Sequence, residues 1–116
     1  MRLTFNAPLV QNTTPENNSF SLGVRIWNND ADAWSAVAGT TARYRVDCLT
    51  TGNTMLGWTS TTAASEMTLP MTSAINAIVN PYNRTESRQV TVEINHGLSS
   101  QTLDTFTYSV NNNGAI

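Results

Sequence analysis

The stretch ARYRVDCLTTGNTMLGWT, Ala42–Thr59, decides the fold. Tyr44, Val46 and Cys48 alternate with Arg43, Arg45 and Asp47, so bulk falls on one face and charge on the other. Successive side chains of a strand point to opposite sides, and a period of two therefore marks an antiparallel strand buried on one face. Thr51-Gly52-Asn53 supplies turn residues. A second strand comes next, with Leu56 and Trp58 expected to face inward alongside Tyr44, Val46 and Cys48.

The same alternation recurs on both sides of this hairpin. Leu3 and Phe5 suit a short first strand that Pro8 breaks, and residues 11–19 hold turn formers without an apolar anchor. Phe20, Leu22, Val24 and Ile26 give the cleanest inward-facing run. Asn28-Asn29-Asp30 marks a turn, and Asp32 to Gly39 reads either as a short helix or as an irregular connection packed by Trp34. Met67, Leu69 and Met71 alternate around Pro70, which suits an edge or bulged strand. Residues 73–79 either end a strand or cross between sheets. Val90, Val92 and Ile94, then Phe106, Tyr108 and Val110, complete the set, with a hairpin loop opening at Asn95-His96-Gly97. About seven evenly spaced strands with turns between them predict an all-β chain, an immunoglobulin-like antiparallel β-sandwich. One domain spans residues 1–116, and the termini, 1–19 and 111–116, are candidates for contact with a partner, Asn112 and Ile116 among them.

Composition narrows the function classes. Charged residues make up 12% of the 116 residues, about half the usual share, and polarity comes instead from Thr, Asn and Ser. All six cations are arginines, the net charge is -2, and no basic run occurs. Nucleic-acid binding normally shows clustered Lys and Arg, so it is disfavoured. No apolar run approaches the ~18 residues of a membrane span. The N-terminus lacks the charged and apolar segments of a signal peptide. The single cysteine forms no internal disulfide, which suits a reducing compartment.

No residue cluster announces chemistry. His96 is the only histidine and has no catalytic or metal-ligating companions, so it reads as a turn residue. Cys48 shares a face with Tyr44 and Val46 and reads as core. The eight carboxylates fall mostly at loop or outward positions, with none expected to be buried. Asn28-Asn29-Asp30-Ala31-Asp32 is the nearest approach to a calcium loop and lacks its pattern. No cofactor and no metal site is expected, and the chain is not expected to be an enzyme. On the outward face, Arg45 is expected opposite Glu93 as a cross-strand ion pair. The ladder of Arg43, Arg45 and Asp47 is either plain sheet surface or a docking face. Trp27 falls on the outward parity of its strand, so it either points outward or sits in the loop beyond. Trp27 and Trp34 either pack together over one end of the sandwich or stand as anchors for a partner or a carbohydrate.

The second half of the chain resembles small virion proteins of tailed bacteriophages. The likeness runs through Tyr44-Arg45-Val46-Asp47-Cys48-Leu49-Thr50-Thr51-Gly52, Trp58-Thr59 and Asn76-Ala77-Ile78. It continues through Glu86-Ser87-Arg88-Gln89-Val90-Thr91-Val92 and Phe106-Thr107-Tyr108-Ser109-Val110-Asn111, covering roughly residues 42–111. These are strand patterns rather than catalytic signatures, and they bring no catalytic residues. The resemblance implies an immunoglobulin-like fold and a structural role in the virion, as a capsid decoration (cement) protein or a neck or tail subunit. It also implies assembly in the host bacterial cytoplasm. The implied partners are the major capsid protein, other virion subunits or a homo-oligomer. A carbohydrate-binding module using Trp27 and Trp34 is the alternative from the residues themselves.

Overall fold

A computed structural model describes residues 2–7, 19–29, 31–35, 39–80, 82, 85–96 and 100–111, with the side chains of residues 96, 100 and 111 excepted. Eight strands run in chain order: β1 (Arg2–Asn6), β2 (Phe20–Asn28), β3 (Ala33–Trp34), β4 (Thr40–Cys48), β5 (Thr54–Thr61), β6 (Glu66–Met71), β7 (Thr85–His96) and β8 (Ser100–Asn111). They form two antiparallel sheets. In one, β2 pairs with β1, β6 and the short β3; the other has the order β5-β4-β7-β8. A sheet built on strands 1, 2 and 6 facing one built on 5, 4, 7 and 8 is the immunoglobulin-like sandwich that the alternation predicts.

The alternating residues make the interior. Leu22, Val24 and Ile26 of β2 and Leu69 and Met71 of β6 face Val46 of β4 and Val90, Val92 and Ile94 of β7, all without solvent exposure. Burying each of these side chains is worth roughly 1.5–3 kcal/mol, the main term that offsets chain entropy here. Aromatic contacts bridge the sheets: Phe5 lies 5.8 Å from Phe106, and Phe20 meets Tyr108 edge-on at 5.0 Å between ring centroids. Pro70 sits in β6, which among the described residues pairs only with β2, and it lies opposite Ser21 at a position whose N–H points away from β2, so the missing N–H costs no ladder bond.

The extra strand is β3. Trp34 pairs with Trp27 and Ala33 with Asn28, so the short helix entertained for Asp32 to Gly39 is not formed at these positions. Asp32 adopts a φ of 49°, the left-handed region that Asp and Asn tolerate best after glycine, and this turns the chain back onto β2. No helix occurs among the described residues. Residues 72–80 carry the chain from β6 in one sheet towards β7 in the other through a tight turn around buried Ile75 and Asn76.

The opening hairpin departs from simple alternation. Tyr44 pairs with Thr59, Val46 with Leu56 and Asp47 with Thr54. Between the first two of these pairs β5 contains one more residue than β4, and between the last two it does so again. These are β-bulges, and each reverses the parity of the residues beyond it. Leu56 and Met55 both pack against the core, while Trp58 turns outward with 39% of its surface exposed. The expectation that Trp58 faces inward is therefore corrected. Gly57, beside it, is the residue type that often marks such an irregularity.

Candidate functional site

Two aromatic clusters lie on the outsides of the sandwich, one on each sheet. On the β2 sheet, Trp27 and Trp34 pack edge to face at 5.1 Å between centroids. The Arg25 guanidinium sits 4.2 Å from the Trp34 ring and that of Arg2 sits 5.5 Å from the Trp27 ring. Both tryptophans are half-buried by these neighbours. They form the paired cluster that was one of the two readings, with arginines clamped on the rings rather than flat, free faces.

On the opposite sheet, Arg43 and Arg45 point outward as expected, but their partners differ from expectation. Arg43, not Arg45, faces Glu93, and its Nε and Nη2 donate to the two carboxylate oxygens at 2.8 and 2.9 Å. Arg45 lies opposite Thr91 and makes its own two-pronged pair with Asp47, at 2.9 Å for both bonds, with Thr54 joining both groups. The register is two residues away from the expected one. Arg43 and Arg45 share a parity, so alternation alone could not separate them. Trp58 lies against both, with its ring centroid 4.2 Å from the Arg43 guanidinium and 5.6 Å from that of Arg45.

Beside this cluster a shallow groove of about 340 Å³ is lined by Thr41, Ala42, Arg43, Ser60, Glu93, Asn95 and Gln101. All four strands of the sheet contribute. Arg43 pairs with Ser60 on one side and Glu93 on the other, and Asn95 pairs with both Thr41 and Gln101. Sequence reasoning placed Arg43 on this surface and missed the groove. Trp58 could have been found from Gly57, while the gathering of Ser60, Asn95 and Gln101 depends on registers that no local pattern encodes.

Two carboxylates expected at the surface are buried, Glu93 against Arg43 and Glu86 wholly inside. Glu86 accepts from the backbone N–H groups of Val79 and Asn80 at 2.9 and 3.0 Å and from Arg88 Nη2 at 2.9 Å. Arg88, also without exposure, donates to the Ala77 carbonyl as well, and among the described residues its Nε and Nη1 have no hydrogen-bond partner. Nearby, the Tyr108 hydroxyl donates to Asn76 Oδ1, and the Asn76 side chain donates to the Met71 carbonyl. Burial pushes the Tyr108 hydroxyl up to about 12, with the Arg88 charge opposing that rise, and burial also raises Tyr44. This network fastens the crossing segment to β7 and β8. At its centre Asn76, Glu86 and Arg88 have no solvent exposure.

Cys48 is buried as expected. His96 is the last residue of β7, its backbone paired with Thr40 and Ser100. Asn112, Ile116 and most of the terminal segments 1–19 and 111–116 lie outside the described residues, as do Pro8 and Asp30. Among the described residues no group of three or more His, Cys, Asp or Glu side chains is placed to hold a metal ion. None contributes a helix long and apolar enough to cross a membrane. No family model, no curated protein and no solved structure matches the chain.

Proposed function

We propose that the chain is a non-enzymatic structural subunit of a tailed-bacteriophage virion, a capsid decoration (cement) protein that binds and stabilises the shell. The observation that supports this reading best is where the resemblance falls. Tyr44, Val46, Cys48, Val90 and Val92, which carry much of it, are interior residues of the sandwich. Its charged members, Arg45, Asp47, Glu86 and Arg88, are tied to one another in ion pairs. The likeness thus rests on residues that shape a rigid module, which is what a structural subunit requires.

The partners are the major capsid protein or other virion subunits, copies of this chain included. The docking surface we assign is the cluster of Trp27, Trp34, Arg2 and Arg25 outside the β2 sheet. Tryptophan and arginine are the residue types that dominate binding energy at protein interfaces, and here they are held rigid before any partner arrives. A place at the neck or tail would use the same fold and the same surface.

The test uses particles from which the gene has been deleted. They should release their DNA at a lower temperature than complete particles, and purified protein added back should restore the difference. A Trp27→Ala/Trp34→Ala double variant should restore little of it. Equal heat resistance with and without the protein overturns the decoration role.

A further inference from the structure

We propose that the groove on the outside of the β5-β4-β7-β8 sheet, with Trp58 beside it, binds a neutral saccharide. The inference is independent of the virion reading, since it rests on a different sheet and on different residues.

The lining sets the ligand class. Thr41, Ser60, Asn95 and Gln101 offer hydroxyls and planar amides, groups that both donate and accept and so match sugar hydroxyls, which do the same. The two charged members, Arg43 and Glu93, neutralise each other in a two-pronged pair. That pair removes the free cation an anionic ligand would need, and equally the free carboxylate a cationic one would need. Each partner still has hydrogen-bonding capacity to spare, because a carboxylate has about four lone-pair positions and a guanidinium five N–H donors. At about 340 Å³ the groove lies near the lower end of small-molecule sites, room for a short saccharide rather than a long chain.

Trp58 supplies the apolar half of the recognition. It stands two residues from Ser60 on β5, and its ring lies against Arg43, itself a wall of the groove. With two guanidinium groups near the ring, the residue still exposes 39% of its surface. The negative face of an indole attracts the weakly positive C–H groups on one side of a pyranose ring. The ion pairs of Arg43 and Arg45 fix both guanidiniums, so the ring is held before a ligand arrives. By contrast, Trp27 and Trp34 cover each other and are capped by arginines, which leaves no comparable platform.

The test is nuclear magnetic resonance titration of the isotopically labelled protein with maltotriose, cellotriose, mannobiose and diacetylchitobiose, each to tens of millimolar, with sialyllactose as an anionic control. The three tryptophans give separate indole N–H signals, assignable with single Trp→Phe variants. At least one neutral sugar should move the Trp58 indole and the Asn95 and Gln101 side-chain amides along a saturable curve, leaving Trp27 and Trp34 in place. Trp58→Ala and Asn95→Ala should each weaken binding roughly tenfold, and Trp58→Phe should weaken it less. The replaced side chains lie outside the core, and an unchanged thermal transition checks that each variant is folded. The proposal is overturned if no neutral sugar moves Trp58, if the shifts fall on Trp27 and Trp34, if sialyllactose alone binds, or if folded Trp58→Ala binds as tightly as the parent. None of these results alters the copy number of the protein in particles, so the two readings fail separately.

Discussion

Arg88 carries a full charge inside the sandwich, and its balance with Glu86 is asymmetric. Glu86 keeps two backbone N–H donors besides the arginine, whereas among the described residues Arg88 has only Glu86 and the Ala77 carbonyl and leaves two nitrogens without partners. A guanidinium cannot shed its proton to escape burial, while a carboxylate can gain one. Glu86→Gln should therefore cost about 3–5 kcal/mol in urea unfolding, the usual penalty for stranding a buried charge, and Arg88→Met should cost clearly less. Equal losses, or the reverse order, would contradict this account of the network. Parity places Glu86 and Arg88 on the same face as Val90, so their burial was legible in the sequence. Their charge argued for the surface, and the partners that offset it, Val79, Asn80 and Ala77, come from a crossing segment that alternation does not describe.

Tyr108 adds a pH dependence with a definite sign. Its hydroxyl titrates near 10 in an unfolded chain and at about 12 in the fold, chiefly because burial disfavours the phenolate. The stability that this contributes is fully present below pH 10 and is lost as pH rises from 10 towards 12, where the unfolded state gives up its proton first. The loss should reach roughly 2 kcal/mol across that window. Denaturant midpoints measured from neutral to alkaline pH should fall accordingly, and Tyr108→Phe should flatten most of the slope. Tyr44, shifted in the same direction, accounts for a remainder of the same sign. At neutral pH the same substitution should cost about 1 kcal/mol, the net worth of the hydrogen bond that the hydroxyl donates to Asn76.

The bulge at Gly57 and Trp58 explains why the indole departs from the parity that its spacing from Leu56 suggests. Of the two residues facing Arg45, Gly57 and Trp58, the glycine is the one with no side chain in the packing, and a β-carbon placed there meets nothing within 4 Å. Deleting Gly57 should leave Thr59 opposite Tyr44 and Leu56 opposite Val46, with Trp58 directly across from Arg45. The deletion variant should fold with a stability change within about 1 kcal/mol, as expected away from the core. In a Trp27→Phe/Trp34→Phe background its remaining tryptophan should stay as open to iodide quenching as before. A buried, unquenched Trp58 would show that the bulge holds the ring outside. Element by element, β2, β4, β6, β7 and β8 were readable because each buries one face along an unbroken alternation. β5 was not, because two bulges reset its parity, and β3 was not, because a pairing of two residues leaves no period to detect. The match of Arg43 with Glu93 was likewise out of reach, since strand registers are set by tertiary packing and turn geometry rather than by either strand alone.

The two exteriors of the sandwich are chemically different. The β2 sheet displays a closed aromatic and arginine cluster, and the β5-β4-β7-β8 sheet an open polar groove with an exposed indole at its side. On the proposed role, the rigid aromatic cluster is the face that docks and the grooved sheet is the one left open. At this scale the fold class was legible, because it depends on how many alternating runs occur and how they are spaced. The surface chemistry was not, since each cluster gathers residues from distant strands. Whether the chain belongs to a virion is tested most directly by counting it there. Particles from a host that encodes this chain, purified through a density gradient, are analysed by mass spectrometry with isotope-labelled peptide standards. A virion subunit should be present at a fixed, high copy number in proportion to the major capsid protein, unchanged by salt washing. Absence of the protein from gradient-purified particles, or traces that vary between preparations, would contradict it.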